Sequence, residues 1–598
     1  MEIVRCAVLI VGAGGAGLRA ALSAAELAPS VILATRGKLG HSGVTATACS
    51  DRMAFHATLP STAPEGPWNW ARHAEDVYFI GGQVSDPELA EILARHSADA
   101  FRDLTDLGVP WVMQKRGIPD QFLTDGSRYA RACYTGPFTA NHIHKALRTA
   151  FEASSAQLRE EVVIADLVVH PADQRVIGAV AIDEHTGDPI LFQTESVVLA
   201  TGGAGGAFAR SVFPNGMTGD GYAMALRAGA ELVNMEFIQQ GLCSVGTGLA
   251  CSGSLMRALP TVIDSAGKDM LDDLASFGFA REDTVQMLFD KGASWPVSYE
   301  HKSHQLDVLV WRAKEEGRSV FLDYAKNPSA LSADSLPSEV AGWYRERSPE
   351  LDVVEATPLE RLRAINPEVI RWLADHGIHL PASEPIEIES AIQHFQGGVR
   401  IRAHAETSIP GLFAAGECAG GQHGANRPGG SALLDAQVFG KIAGVSAAEY
   451  SARVALAKPR VFDVDALLRD VEGWMLPTGK GVDTLEALQE ILQRAAGIVR
   501  TQGNLLEALQ QVRSLAQGGV QHGAGAAVAA VEARNVHVVA QAVLLAASMR
   551  AESRGPHLLF ESVESPEPVP SDPSMSGKMI AVRVPESGAN LEAEWVPV

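Results

Sequence analysis

Residues 6–11, Cys-Ala-Val-Leu-Ile-Val, form an unbroken apolar run that passes directly into Gly12-Ala-Gly14-Gly-Ala-Gly17. Such a run suits a strand buried on both faces, and the glycines suit the turn into a helix. The helix is predicted over residues 16–27, stopped by Pro29-Ser30, and Val31-Ile-Leu-Ala34 is predicted as a second buried strand. In this β-α-β unit the first glycine makes the turn, the second lets a pyrophosphate approach, and the helix N-terminus carries partial positive charge. Gly12-x-Gly14-x-x-Gly17 is weak alone in a chain with 57 glycines, where a plain structural turn is the alternative, but its flanking strand and helix point to dinucleotide binding. The acidic ribose ligand expected at the end of the second strand is missing, and Thr35 and Arg36 stand there.

Of 598 residues, 49 are Lys or Arg and 71 are Asp or Glu, a net charge of −22. That balance argues against nucleic acid as the main partner, and a small anionic substrate needs a local basic pocket. The length allows two to four domains, and 46% hydrophobic with 20% charged residues is a globular profile. Six scattered cysteines (Cys6, Cys49, Cys133, Cys243, Cys251, Cys418) show no C-x-x-C and read as reduced, mostly buried thiols. The apolar run after Met1-Glu2-Ile3-Val4-Arg5 lacks a basic flank and a cleavage site, so a cytoplasmic protein is expected. The apolar stretch 538–549 is too short to span a bilayer, and no direct membrane span is expected.

Further along, helices are predicted near 87–107 and 140–153, and residues 36–70 are expected to loop over a ligand. Three apolar runs (162–169, 176–182, 190–199) predict an antiparallel meander feeding back into the main sheet. Val197-Val-Leu-Ala-Thr-Gly-Gly203 predicts a buried strand ending in a glycine turn, and Thr218-Gly-Asp-Gly221 follows it. Pro410-Gly-Leu-Phe-Ala-Ala-Gly-Glu417 predicts a late strand with a carboxylate just past its end, before a helix from about Ala432. No metal site is expected, because His142-x-His144 and His301…His304 lack a third ligand at suitable spacing.

The ordered string Val11-Gly-Ala-Gly-Gly-Ala-Gly-Leu-Arg-Ala-Ala21, Ala200-Thr-Gly-Gly-Ala-Gly205, Thr218-Gly-Asp-Gly-Tyr-Ala-Met-Ala225, Asn234-Met-Glu-Phe237, Gly411 to Glu417, His423-Gly-Ala-Asn-Arg427 and Glu552-Ser-Arg-Gly555 covers most of the chain. It resembles the flavoprotein subunits of succinate dehydrogenase and fumarate reductase, a family that includes L-aspartate oxidase and the α subunit of adenylylsulfate reductase. The resemblance implies an α/β fold: a Rossmann-like FAD-binding domain with an inserted α+β capping domain and a C-terminal helical bundle. The expected division is 1–240 and 384–455 for the FAD-binding domain, 241–383 for the cap, 456–560 for the helical domain, and 561–598 for a linker and short strand.

The resemblance assigns FAD to Gly12, Gly14, Gly15, Ala16 and Gly17 at the pyrophosphate, and Thr35 and Arg36 on the ribose side. Ala200, Thr201 and Gly202 join the cofactor site, as do Asp220 and Glu417 as ribose-side and ribityl-side carboxylates. Ser431, Ala432 and Leu433 begin the helix implied to face the isoalloxazine pyrimidine, where the helix dipole stabilises negative charge. Arg427 matches the arginine that pairs with a substrate carboxylate, with an interdomain salt bridge as the alternative.

Four departures qualify this. Where covalent members carry Ser-His-Thr, Ser42-Gly43-Val44 stands here, so FAD is expected to be non-covalent, with His41 no replacement. The family's Gln-x-His-Pro-Thr becomes Gln239-Gln-Gly-Leu-Cys243, which puts Gly241 at the substrate-binding histidine. The Thr-Glu-x-x-Arg-Gly-Glu-Gly-Gly segment is lost, so an ungapped reading puts Met256 on the proton-transfer arginine, and likewise the histidine before the family's Met-Gly-Gly becomes Gln393, ahead of Gln396-Gly-Gly398. A one-residue slip restores both through Arg257 and His394, with packing roles as the alternative for each. The expected chemistry is hydride exchange with a small organic acid or amino acid. An L-aspartate-oxidase-like enzyme, a flavoprotein like that of adenylylsulfate reductase and a non-catalytic electron carrier remain open. An iron–sulfur or other electron-transfer subunit is an expected partner, and any membrane association is expected to run through it.

Overall fold

The computed structural model describes residues 1–48, 53–59, 69–114, 117–124, 127–212, 214, 216–280, 283–380, 385–454, 469, 484–515, 526–585, 588 and 590–598. At its centre five parallel strands lie in the order Leu412–Ala414, Ser196–Leu199, Val8–Val11, Val31–Ala34 and Gln157–Arg159. The first four are buried along their whole length, which is why they read as continuous apolar runs rather than as alternation. Register sets Ala34, Val11, Leu199 and Ala414 side by side, so the loops after these strands open at one common edge. The predicted helices are present as Gly15–Ala25, Pro87–Asp106, Thr139–Glu152 and Ser431–Arg453.

The meander is Val162–Val169, Val176–Asp183 and Pro189–Gln193, extended by Glu2–Arg5 pairing parallel to the last. The third apolar run is not one strand. It breaks at Thr194-Glu195, where the Thr194 hydroxyl donates to the carbonyls of Ala7 and Ser196 and pins the corner between two sheets. A third sheet joins Ala419–Gly420, Gly398–Arg400, Leu232–Val233 and the C-terminal hairpin Lys578–Arg583 with Glu592–Pro597. The sequence predicted one terminal strand. The second, only half-buried, lacks the apolar alternation that would have marked it.

A fourth, antiparallel sheet orders Ile238–Ser244, Ile386–Phe395, Val320–Asp323 and Thr261–Asp264, with short helices around it and an apolar core of its own. Its two long strands are the chain's way in and out of this unit, and they reach outward to Ile238 and Phe395. Among the described residues, helices Thr484–Ala495, Gln502–Ser514 and Ala526–Met549 follow. The last corrects the reading of 538–549 as a short segment, because the helix runs 24 residues and its apolar stretch is long enough for a membrane span by length and composition. Of that apolar window 72% is buried inside the fold. Arg534 and Asn535 on the same helix bond Asp166 and Asp220. Parts of two predicted segments lie outside the described residues: 49–52 and 60–68 of the ligand-covering stretch, and 456–468, 470–483 and 516–525 of the helical domain. Cys49 lies there too, and the other five cysteines are buried free thiols.

Candidate functional site

Four of the segments singled out in the sequence emerge at the common edge of the parallel sheet: Gly12 to Gly17 after Val11, Thr35-Arg36 after Ala34, Ala200 to Gly202 after Leu199, and Glu417 shortly after Ala414. Loops at the carboxyl ends of parallel strands are where this kind of sheet binds ligands.

The three motif glycines answer to different constraints. Gly12 has φ +104°, and a Cβ there would lie 2.3 Å from the Ala200 carbonyl oxygen; one on Gly17 would lie 1.7 Å from that of Gly12. Gly14, at φ −74°, has nothing within 4 Å of where its Cβ would be. The protein's own packing thus demands the outer two, while the middle one borders open space. Helix Gly15–Ala25 begins there with no acidic residue in its first turn and no side-chain cap on Gly14; only the Gly15 N–H meets a hydroxyl, that of Thr45 at 3.2 Å. An uncapped N-terminus facing open space fits a pyrophosphate.

Thr35 is buried, its N–H donating to the Arg159 carbonyl and its carbonyl accepting from Val162. Arg36 is ion-paired with Glu532 and lies 3.6 Å from Glu184. Asp220 accepts from the Thr218 hydroxyl (3.0 Å) and Asn535 (2.8 Å) through Oδ1, and burial raises its pKa. Thr201 donates to Cys418 Sγ at 3.4 Å, and Gly202 takes φ +76°. Ser42 donates to the Lys38 carbonyl, His41 is exposed, and Gly43 has φ +84°, a conformation costly for any residue with a side chain.

Glu417 Oε1 accepts the Phe395 N–H at 3.0 Å. Burial pushes its pKa up to about 7, against the pull of that bond and of Arg427. Because the folded value lies above the unfolded one, the folded chain binds the extra proton between pH 4.5 and 7, and stability falls as pH rises through that window. Urea unfolding of FAD-free protein is therefore expected to show the wild type losing on the order of 3 kcal/mol relative to Glu417→Gln from pH 4.5 to 7. A difference that stays flat with pH would refute the shift.

A cavity of about 1390 Å³ lies between the edge of the parallel sheet's domain and the inserted unit. Its wall includes Val44, Thr45, Gly430, Ala432 and Leu433 on one side and Arg257 and Trp343 on the other, with Gln239, Gln393, His394, Asn426 and Arg427 also lining it. Ser431, at the helix start, is buried with its hydroxyl unpartnered. Arg427 also keeps a buried, unpartnered Nε. Burial lowers its pKa to about 10 while the charges of Glu417 and Asp435 work the other way, so it stays a cation. A buried guanidinium edge opening on a cavity calls for an anion, and a carboxylate matches its fork. His394 is buried and keeps Nδ1 unpartnered; burial first, then Arg427 and His423, holds its pKa well below 6.5, so the ring is neutral.

Of the two pairs weighed in the sequence, Gln393 and His394 both line the cavity, whereas Arg257 lines it and Met256 does not. Strand Ile386–Phe395 pairs Ile392 with Gln240 and His394 with Gln239, so Gln393 is an extra residue absorbed in a β-bulge, which rephases the pleat. Met256 is wholly buried in the core of the inserted unit, while Arg257 lines the cavity with its guanidinium 5.4 and 5.3 Å from the ring centres of Phe289 and Trp343. At Gly241 a Cβ would fall 2.8 Å from the Trp295 indole, whose N–H donates to the Leu242 carbonyl at 2.6 Å. Trp295 fills the space a larger residue at 241 would need.

Sequence reasoning assigned no role to Gln239, Asn426, His423 or Asp435. Gln239 donates to the Asn426 side chain at 2.6 Å, and His423 Nε2 lies 3.7 Å from Asp435 Oδ2 with both side chains buried. His423 and Asn426 stood in the His-Gly-Ala-Asn-Arg string, and Asp435 follows Ser431 by four residues on one helix face, a spacing that could have marked it.

A family described as an FAD binding domain matches residues 7–433, and one described as the C-terminal part of fumarate reductase flavoprotein matches residues 485–565. The chain is 30% identical to a subunit of the fumarate reductase (CoM/CoB) of Methanothermobacter marburgensis over 93% of its own length and 94% of the relative's. It is 29% identical to L-aspartate oxidase of Caulobacter vibrioides, covering 92% of each. Among solved structures, Mycobacterium smegmatis Sdh1 in complex with UQ1 superposes with a TM-score of 0.78 at 25% identity, covering 100% of this chain and 94% of that one.

Proposed function

Because the chain belongs to the succinate dehydrogenase and fumarate reductase flavoprotein family and is an FAD-dependent oxidoreductase, we propose that it exchanges a hydride with a carbon of a small carboxylate-bearing substrate held in the 1390 Å³ cavity. The observation that carries this reading is that one cavity is lined by Arg427, His394 and Arg257 together with the start of helix Ser431–Arg453.

FAD, when bound, supplies the hydride chemistry at its N5 atom. Gly12, Gly14, Gly15, Ala16 and Gly17 hold the pyrophosphate, Thr35, Arg36 and Asp220 lie on the ribose side, and Ala200, Thr201, Gly202, Ser42, Gly43, Glu417, Ser431, Ala432 and Leu433 complete the cradle. Arg427 binds a substrate carboxylate through its unpartnered edge. His394 or Arg257 moves the proton. His394 suits this because it is neutral and its free Nδ1 can accept or, as the other tautomer, donate. Arg257 suits a cationic role, with its aromatic neighbours fixing its direction. The inserted unit, 241–383 in the five-part division read from the sequence, excludes water from the cavity. Electrons pass to or from a further subunit or a small acceptor, in keeping with the Methanothermobacter relative being by name one subunit of its enzyme.

FAD is proposed to be non-covalent because residue 43 is glycine. Acid precipitation is expected to release yellow FAD into the supernatant, and anaerobic addition of dicarboxylates and amino acids is expected to bleach the bound flavin with one compound. Flavin retained in the pellet would refute the non-covalent reading. Bleaching by L-aspartate alone would favour the oxidase reading that the Caulobacter relative suggests. If neither bleaching by any compound nor reoxidation of photoreduced enzyme by fumarate occurs, the chain carries electrons without turning over substrate.

A further inference from the structure

Beside the cavity lies a second buried polar array that the chemistry above does not use. His56 and His73 are both 0% exposed, with Nδ1 of His56 3.1 Å from Nε2 of His73 and the rings edge to face at 4.8 Å. At one end the Thr58 hydroxyl lies 2.9 Å from His73 Nδ1; at the other the Ser127 hydroxyl lies 3.1 Å from His56 Nε2. All four ring nitrogens are therefore engaged in one chain of hydrogen bonds. Burial, reinforced by Arg131, pushes the His56 pKa down to about 3; burial, with His56 and Arg131, holds His73 well below 6.5. Arg131 is itself tied to buried Asp76 at 2.5 Å, and Arg128 lies 3.5 Å from the same carboxylate. Each ring is thus neutral with a single N–H, which leaves two arrangements of the chain, one the reverse of the other.

The ends of the chain differ. Thr58 is half-buried, whereas Ser127 is buried, its N–H donating to the carbonyl of Thr124, and Thr124 and Arg128 line the cavity. The His56 backbone N–H donates to the carbonyl of Gly430, another cavity-wall residue, which ties the residue carrying the inner ring to the start of helix Ser431–Arg453.

We propose that Thr58, His73, His56 and Ser127 form a proton wire between the outside of the protein and the cavity wall. The inference rests on the hydride-exchange reading, since a hydride delivered to one carbon must be matched by a proton that reaches the cavity from solvent. In one passage water protonates Thr58 Oγ as the hydroxyl's own proton moves to His73 Nδ1. The His73 Nε2 proton moves to His56 Nδ1, the His56 Nε2 proton moves to Ser127 Oγ, and the Ser127 proton leaves to the cavity. No electrons move and no charge is left behind. Reverse transfer would carry the proton back out, so the chain resets by turning of the two hydroxyls and of the two imidazole rings. The Arg131 charge keeps either ring from storing the proton, so the array passes it on.

The test uses FAD-loaded full-length protein and follows proton uptake with a pH-indicator dye while the flavin is photoreduced, a readout that needs no substrate. His56→Gly is expected to slow uptake about tenfold or more, in the range by which positioned proton-transfer groups act. Added imidazole should restore the rate, whereas pyrrole, which fills the same hole but has no acceptor nitrogen, should not. Thr58→Val, which exchanges a hydroxyl for a methyl of similar shape, keeps the test open if His56→Gly does not fold, and it should also slow uptake. Uptake at the wild-type rate in a folded variant, or equal rescue by pyrrole, overturns the wire. Slowed uptake in a protein that turns over no carboxylate would instead leave the wire standing and overturn the substrate reading.

Discussion

Gly17→Ala is expected to yield no folded protein, whereas Gly14→Ala yields a folded one that has lost its colour. Both substitutions add a single methyl to the same turn. At residue 17 that methyl would sit 1.7 Å from the Gly12 carbonyl oxygen, an overlap with backbone that only a displaced strand–helix junction can relieve. Overpacking of this kind costs about 3 kcal/mol or more, a large part of a stability of about 5–15 kcal/mol. At residue 14 the methyl meets nothing of the protein, and φ −74° is comfortable for alanine. The fold loses about 1 kcal/mol through the weaker helix cap. The methyl does project into the space proposed for the pyrophosphate. Losing two charge-assisted bonds there at about 1.5–3 kcal/mol each lowers FAD affinity about 100-fold or more. Circular dichroism separates the two folding outcomes, and FAD titration reads the affinity. Unchanged FAD affinity in Gly14→Ala would remove the pyrophosphate from this turn.

Arg427→Ala is expected to lower kcat/KM about 10³-fold for whichever carboxylate bleaches the flavin, with FAD content unchanged. Removing one member of a buried charged hydrogen-bonded pair costs about 2–5 kcal/mol. Arg427→Lys is expected to recover little, because a lysine ammonium keeps the charge but not the planar fork. Neutral analogues in which an amide replaces the substrate carboxylate should lose their disadvantage in the alanine variant. An alanine variant within about threefold of wild type would show that Arg427 serves only the buried charges of Glu417 and Asp435.

The parallel sheet was legible because burial on both faces writes itself as short apolar runs, and because the glycines at 12, 14 and 17 announce a turn whose geometry tolerates little else. The meander was legible except at Thr194, where continuous apolar composition hid a change of sheet that depends on a side-chain bond to Ala7. Helix Ala526–Met549 was underread because Glu532, Arg534 and Asn535 interrupt its apolar pattern, yet their partners Arg36, Asp166 and Asp220 lie hundreds of residues away. In the cavity the string His-Gly-Ala-Asn-Arg pointed to Arg427. Nothing local to Gly241 could show that Trp295 occupies its surroundings, and nothing local to His56 could pair it with His73 and Ser127.

The bulge at Gln393 bears on how roles are inherited among distant relatives. Column-by-column transfer from a homologue lands on Gln393 and finds a glutamine, which reads as loss of the ancestral group. In space the extra residue is absorbed within one strand, and His394 takes up the pairing opposite Gln239. Both Gln393 and His394 line the cavity, so a role read along the sequence can fall on either of two neighbours that the bulge brings to the same place. A bulge inside a strand thus widens the set of side chains that can serve one wall, a freedom that a position-by-position comparison along the sequence would register only as loss.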